Sequence, residues 1–118
     1  MSALSRPRLS ICGDIAQPPY ATIAAALRPL LLRRFPGDPE LRFKIMDELD
    51  ELRIYATGFD LVIQGGLFAS GYQLGSTDEA IAFYREISEA LAQKGIWHSI
   101  EIMQEEADGS WSEAITIP

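Results

Sequence analysis

The sequence predicts an α+β fold, in which a single-layer, mainly antiparallel sheet of about five to six strands carries two helices on one face. Two segments place apolar residues at helical spacing, and the other segments alternate apolar and polar residues as strands do. Short turn signals between the strands favour hairpins over crossovers. The predicted order is β-α-β-β-β-α-β-β. Because the chain of 118 residues suffices for one core, we expect residues 1–118 to form a single globular domain.

The first strand and the first helix are predicted in the N-terminal third. Arg8–Cys12 alternates in polarity, which indicates a short strand that ends at Gly13–Asp14. The prolines Pro18–Pro19 close a loop, and the apolar spacing that follows predicts a helix from Tyr20 to about Arg34. Since Pro29 has no N–H to donate, we expect a kink there or a break into two short helices.

The middle of the chain reads as a loop, a strand and an acidic turn. Phe35–Pro39 is rich in proline and glycine, and Leu41–Met46 then alternates in polarity. Asp47–Glu51 turns the chain. A competing interpretation makes Ile45–Leu52 helical, because its apolar residues also match helical spacing, but we favour the strand followed by a turn.

An antiparallel meander is predicted from Leu52 to Leu74. Arg53–Ala56 is β-prone, and Thr57–Gly58 interrupts it before Phe59–Gln64 resumes the pattern. Gly65–Gly66 supplies the positive φ values that a two-residue hairpin turn requires. This turn fixes a register in which the following residues face each other on the core side: Ile63 and Phe68, Leu61 and Ser70, Phe59 and Tyr72.

The second helix and a hairpin complete the predicted fold. Ser76-Thr77-Asp78-Glu79 is a capping box, and the helix that it opens ends at Gly95. Ile96–Gln104 alternates, with His98 on the same face as three isoleucines. Ala107–Ser110 then forms a turn. The last strand, Trp111–Ile117, is expected to hold Trp111, Ile115 and Ile117 on one side.

Charge is distributed unevenly along the chain. Residues 1–46 carry seven Arg or Lys against three Asp or Glu, whereas residues 47–118 carry three against fourteen, giving a net charge of −7. The acidic balance and the absence of an aromatic-plus-basic strand motif argue against nucleic acid as a partner. Because residues on both sides of the switch contribute to one core, we expect much of the asymmetry to be neutralised within the fold.

Composition also predicts where the protein works. Cys12 is the single cysteine, so no intrachain disulfide can form, and a reducing, cytoplasmic location is expected. The longest apolar run, about Ala21–Leu32, contains Arg28 and Pro29 and is shorter than the ~20 residues that span a bilayer. No membrane partner is therefore expected.

The sequence contains no familiar catalytic motif, which favours a protein without enzymatic activity, and we expect no cofactor and no metal. His98 is the single histidine, and its isoleucine neighbours predict a buried imidazole held by hydrogen bonds. Cys12 is expected to be an inert small core residue because no activating partner is visible near it.

Two acidic clusters and a tryptophan are the candidate partner-binding residues. Asp47, Glu48, Asp50 and Glu51 form the first cluster, and the second lies in the loop of the last hairpin. Trp97, expected to be partly exposed beside Glu101, is the candidate anchor between them, since tryptophan is enriched at binding hot spots. The second cluster comprises Glu105, Glu106 and Asp108.

These features favour a small acidic binding protein: an inhibitor, antitoxin or immunity-type protein that neutralises a basic protein partner, such as a toxin or an enzyme. One alternative is a small-ligand protein or enzyme with a pocket between the first helix and the sheet. Its polar groups would be Asp14, Asp60, His98 or Glu101. Another is a homodimer or complex subunit, in which the basic third of one chain faces the acidic remainder of another.

Overall fold

The computed structural model describes residues 9–72 and 76–117, so the predicted strand residue Arg8 and the predicted meander end Leu74 lie outside it. Seven strands and two helices form the α+β fold that the sequence predicts. In chain order the elements are β1 (Leu9–Ile15), α1 (Tyr20–Arg34), β2 (Arg42–Met46), a 3-10 turn (Asp47–Leu49), β3 (Glu51–Ala56), β4 (Phe59–Gln64), β5 (Leu67–Tyr72), α2 (Thr77–Gln93), β6 (His98–Glu105) and β7 (Trp111–Ile117).

The strands form one sheet in the order β2-β3-β4-β5-β1-β6-β7, and every neighbouring pair is antiparallel. The sheet has more strands than the five to six predicted, because Thr57–Gly58 is a hairpin turn rather than an interruption. Gly58 adopts a φ of +74°, and Ala56 pairs directly with Phe59 across the turn. The segment on either side is therefore two strands, β3 and β4.

Both helices cover the same face of the sheet, and one cluster of buried residues lies between the layers. Helix α2 buries the predicted stripe that includes Phe83, Tyr84 and Ile87. The rings of Phe83 and Tyr84 meet those of Phe59 and Tyr72 with centroids 5.2 to 6.5 Å apart. The other face of the sheet is covered by no element of the described chain, and we call it the open face.

Several local predictions are confirmed. Strands β4 and β5 pair in the predicted register, so that Ile63 lies opposite Phe68. The hydroxyl of Ser76 accepts the backbone N–H of Glu79 at 3.2 Å, which caps α2 as the capping box requires. Gly95 follows α2 with a φ of +70°. The strand-then-turn interpretation of residues 41–51 is also confirmed, because β2 precedes a short 3-10 turn.

The predicted end of the first strand is wrong, and so is one of the two alternatives at Pro29, a break of the first helix. Strand β1 continues through Gly13 and Asp14 to Ile15. Glycine is required at position 13 because the backbones of β1 and β6 approach closely there, not because the chain turns. A Cβ at this position would lie 1.8 Å from the Ser99 carbonyl oxygen. Helix α1 runs unbroken through Pro29, and the alternative of a kink stays a prediction. Since Pro29 and Ala25 are on its exposed side, the Ala25 carbonyl that loses its partner can bond to water.

The last strand also differs from its prediction. Ile115 and Ile117 pair with core-facing Ile102 and Ile100, but the register then shifts, and Trp111 pairs with Glu105. This β-bulge inserts one residue into β7 and reverses the side to which the residues before it point. Trp111 therefore lies on the open face and not beside Ile115 and Ile117.

Within residues 9–72 and 76–117, no helix combines the length and the apolar character needed to cross a bilayer.

Candidate functional site

The acidic turn, which we define as residues 47–50, is held in a fixed shape. The Tyr20 hydroxyl donates to the Asp50 carbonyl oxygen at 2.7 Å, lies 2.9 Å from Asp50 Oδ1, and accepts the Gly65 N–H at 3.3 Å. Gln64 Nε2 donates to the Leu49 carbonyl at 3.2 Å. Asp50 adopts a left-handed φ of +53°, which aspartate tolerates better than most residues. One tyrosine thus joins the turn to the β4–β5 hairpin.

A groove lies beside this turn, between the start of α1 and strand β2. Its volume is about 580 Å³, and we call it the turn groove. Its walls are largely apolar, and two carboxylates stand at its rim. The lining residues are Gln17, Pro18, Pro19, Tyr20, Ala21, Ile45, Asp47 and Asp50.

Apolar side chains are unusually exposed around the turn groove. Leu49 is 55% exposed and Ile45 is 43% exposed, although both are large aliphatic residues. Asp47 and Glu48 are also exposed, and neither forms an ion pair with another described residue. Exposed apolar surface rimmed by charge is typical of protein-binding sites.

Glu51 differs from its three acidic neighbours. It is the first residue of β3, is only 7% exposed, and its carboxylate accepts the Arg53 Nε–H at 2.8 Å. This carboxylate, together with the Tyr55 hydroxyl, raises the pKa of Arg53. The Glu51 carboxylate is therefore engaged by Arg53 within the sheet, and Asp50 is hydrogen-bonded to Tyr20. Asp47 and Glu48 are the two acids of the cluster whose carboxylates have no partner among the described residues.

The second acidic cluster lies far from the first. The loop after β6 adjoins the starts of β1 and β4, whereas the acidic turn adjoins their ends, and the two clusters flank opposite edges of the sheet. In that loop, Asp108 Oδ1 accepts the Ser110 N–H at 2.9 Å, and the Glu106 carboxylate accepts the Ser112 hydroxyl. The side-chain and backbone bonds from Ser110 lower the pKa of Asp108. The hydrogen bonds of Glu106 and Asp108 therefore stabilise the hairpin between β6 and β7.

Trp97 and Glu101 lie on the open face, as expected from their parity. Trp97 is 62% exposed, and its carbonyl accepts the Ala16 N–H at 2.8 Å, which fixes its backbone to the end of β1. Glu101 pairs with Cys12 in the sheet. Trp97 is thus at the same end of the sheet as the acidic turn but several strands away, on the face opposite to the turn groove.

His98 is buried in the manner that the sequence predicts. His98 Nδ1 donates to the Ile96 carbonyl at 2.9 Å, because a carbonyl oxygen can only accept. The Ser88 hydroxyl forms a hydrogen bond with Nε2 at 2.6 Å. With both nitrogens engaged inside the core, His98 is not available as a general base.

The pocket predicted between the first helix and the sheet does not assemble as proposed. Asp14, Asp60 and Glu101 project from the open face, away from α1, and only His98 faces the helices. Cys12 is exposed on the open face as well, because the alternation of β1 sends Ile11 to the core instead, so the expectation that Cys12 is a core residue is wrong. Partial burial and the nearby Glu101 and Asp14 carboxylates raise the pKa of its thiol. A raised pKa reduces the thiolate fraction, which agrees with an inert cysteine.

Sequence reasoning missed a second groove, at the β2–β4 end of the open face. It is lined by the cations of Arg42 and Lys44, by Tyr55, and by the carboxylates of Glu40 and Asp60. Asp60 Oδ1 accepts the Gly71 N–H at 2.7 Å, so this acid is already engaged. Only the alternation of β2, which sends Arg42 and Lys44 to one side, could have indicated this groove.

Comparison with known proteins gives no relative: no family model, curated protein or solved structure matches this chain.

Proposed function

We propose that this protein is a binding protein that recognises a basic protein partner through the acidic turn and the turn groove. The observation that carries the proposal is the turn groove itself, because its apolar walls end at the carboxylates of Asp47 and Asp50. Such a groove suits a partner segment in which a Lys or Arg stands next to a large apolar side chain. The apolar side chain would enter the groove, and the cation would meet the rim.

The rigidity of the acidic turn supports the proposal. A loop that is already ordered loses less conformational entropy on binding than a flexible one. The Tyr20 hydroxyl and the Gln64 amide each donate a hydrogen bond to a backbone carbonyl of the turn. Asp47 and Glu48 therefore extend from a backbone that is already held in place. Their negative charge would accelerate association with a cationic partner.

The biological role that fits this recognition is that of an inhibitor, antitoxin or immunity-type protein that neutralises a cationic toxin or enzyme. Such a protein works by covering a surface and needs no catalytic group of its own. The turn groove supplies an apolar contact and the acidic turn supplies charge complementarity, the two properties that such a surface requires.

A peptide-display selection with the protein as bait tests the proposal. We expect the selected peptides to carry Lys or Arg beside a large apolar residue. The double variant Asp47→Lys/Glu48→Lys should bind them at least about tenfold more weakly, because two attractive charges become repulsive. The matched control Glu86→Lys/Glu89→Lys changes the same charge on the exposed side of α2 and should bind normally. Selection of acidic or uncharged peptides, or unchanged binding by the first variant, would contradict the proposal.

A further inference from the structure

The open face is divided by charge. Strands β2 and β3 project Arg42, Lys44 and Arg53 from it, with Glu51 paired to Arg53, and the charged residues that β1, β6 and β7 project at the other side are carboxylates. Between them, β4 and β5 contribute four small or apolar residues and two polar ones, Asp60 and Gln64. The carboxylates are Asp14, Glu101 and Glu113, and the small or apolar residues of the middle are Val62, Leu67, Ala69 and Gly71.

We propose that the open face is a homodimer interface, on which a second copy of this chain packs face to face. In this arrangement β5, the central strand of the seven, lies beside the twofold axis in both copies, and the axis runs parallel to the strands. The rotation then places β2 over β7 of the partner and β3 over β6 of the partner. Face-to-face sheets with nearly aligned strands are a common packing mode.

The pairing register shows that this arrangement is self-complementary. One row across the sheet is Lys44, Arg53, Val62, Ala69, Cys12, Glu101, Thr116. The twofold rotation about an axis beside Ala69 places Arg53 opposite Glu101 of the partner subunit. It also places Val62 opposite Cys12 of the partner subunit. A cation therefore meets a carboxylate twice in this row, once on each side of the axis.

The neighbouring rows give the same result. Arg42 lies in the row of Glu113, so it meets Glu113 of the partner subunit. Leu67, which is 65% exposed, lies on β5 and meets its own counterpart. Turning the second copy about an axis across the strands would instead place β2 over β2 of the partner, with cation against cation. Charge complementarity therefore selects the first orientation.

The open face is large enough for a weak dimer, whose interface needs about 1,000 Å² in total from the two partners. Seven strands about 4.8 Å apart and six residues long present a face of about 29 Å by 20 Å, before side-chain relief is counted. Standard interfaces bury about 800 Å² on each partner. The exposure of Leu67 and Trp97 on this face is explained if the second copy covers them.

The proposed dimer leaves the turn groove free. That groove opens on the helix side of the sheet, where Tyr20 and Ile45 line it, whereas the dimer uses the opposite face. Peptide recognition and dimer formation can therefore fail or succeed independently.

Sedimentation equilibrium over a range of protein concentrations tests the dimer. We expect the wild-type protein to dimerise with a dissociation constant of about 1 to 100 µM. Glu101→Arg should raise this constant by about tenfold or more, because the twofold axis repeats each repulsive contact. Adding Arg53→Glu should bring the constant back towards the wild-type value. Thermal unfolding of each variant checks that it folds, since Arg53 also pairs with Glu51.

The control and the contradicting results are well defined. Glu89→Arg makes the same charge change on the exposed side of α2 and should leave the dimer unchanged. A wild-type protein that stays monomeric at about 300 µM would overturn the proposal. A dimer whose dissociation constant is the same in Glu101→Arg would overturn it too, because that dimer would use another surface.

A cross-linking experiment tests the position of the axis. In a Cys12→Ser background, Ala69→Cys places a thiol beside the axis, and a short bismaleimide should join two copies efficiently. Ala82→Cys, on the exposed side of α2, should give little cross-linked product. Equal yields from the two variants would contradict the proposed packing.

Discussion

Single polar groups inside this protein are satisfied by specific partners, and the His98 pair is the clearest case. The imidazole sits in the core, with Nδ1 bound to the Ile96 carbonyl and Nε2 bound to the Ser88 hydroxyl. No buried side-chain nitrogen or oxygen of the described residues lacks a hydrogen-bond partner. Because a buried polar atom without a partner is costly, removing either member of the pair should lower the free energy of unfolding.

Ser88→Ala should destabilise the fold by about 1 to 3 kcal/mol, because His98 Nε2 would stay buried without a partner. Urea unfolding of the two proteins measures the difference. Ser10→Ala, at an exposed position of β1, serves as the control and should change stability by about 0.5 kcal/mol or less. If both variants unfold at the same urea concentration, water replaces the lost hydroxyl and the pair is dispensable.

A second residue, Asp38, ties two turns together. Its Oδ2 accepts the Thr57 N–H at 2.9 Å, and its Oδ1 accepts the Glu40 N–H at 2.8 Å and the Thr57 hydroxyl at 3.0 Å. These bonds, chiefly the one from the Thr57 backbone, lower the pKa of Asp38 below its ordinary value. The carboxylate form is thus favoured in the folded state.

The stabilisation from Asp38 should depend on pH. Since the folded pKa lies below the unfolded one, the contribution is fully present above about pH 4 and is lost as pH falls through the folded pKa. Asp38→Asn should therefore show a smaller fall in urea midpoint between about pH 5 and pH 3 than the wild-type protein. Identical pH profiles of the urea midpoint for the two proteins would show that protonation of Asp38 does not change the stability of the fold.

At the scale of elements, the strongest constraint is the contact between β1 and β6. The Gly13 backbone lies so close to Ser99 that no side chain fits between the strands. This contact is in the interior of the sheet, since β1 is flanked by β5 and β6. Neither strand can move away without disturbing its other neighbour.

Gly13→Ala should therefore cost about 3 kcal/mol or more, at or beyond the upper end of ordinary overpacking, or should prevent folding. Thermal unfolding and the yield of folded protein measure this effect. Cys12→Ala, one residue earlier on the open face, is the matched control and should be nearly neutral. A Gly13→Ala protein with wild-type stability would mean that β1 and β6 can separate locally at no cost.

The outcome at Gly13 also shows what the sequence could and could not predict. Periodicity and turn chemistry predicted the class, the helices and the β4–β5 register, because each of these depends on neighbouring residues. Glycine at position 13 was misread because a close approach between strands and a turn both require glycine. The bulge that turns Trp111 to the open face left no local signal, since it depends on which residues of β6 are opposite.

The candidate site was predicted in part. The acidic turn was visible as a run of charges, but the turn groove was not, because Pro18, Tyr20 and Ile45 come together only through tertiary packing. For the same reason the sequence could not separate Glu51, which is buried beside Arg53, from its exposed neighbours.

At the scale of the whole molecule, the charge asymmetry of the sequence remains visible across the sheet among the described residues. Arg53 and Glu51 form an ion pair between described residues, but they come from the same strand and both lie in the acidic part of the sequence. The basic residues of β2 and the acidic residues of β6 and β7 occupy opposite edges of one sheet. Arg42 and Lys44 form no ion pair with another described residue, and a second copy of the chain could supply the opposite charges. The expectation that the fold neutralises the asymmetry internally stays a prediction.

If the chain dimerises through the open face, its thermal stability must depend on protein concentration, because the dimer forms from the folded state only. For a chain of this length, each tenfold increase in concentration should raise Tm by about 2 to 3 °C once the dimer predominates. Glu101→Arg should flatten this dependence over the same concentrations, whereas Glu89→Arg should preserve it. Differential scanning calorimetry at several concentrations measures the slope. A wild-type Tm that stays constant across that range would contradict the proposed dimer, because the open face would then remain exposed to solvent.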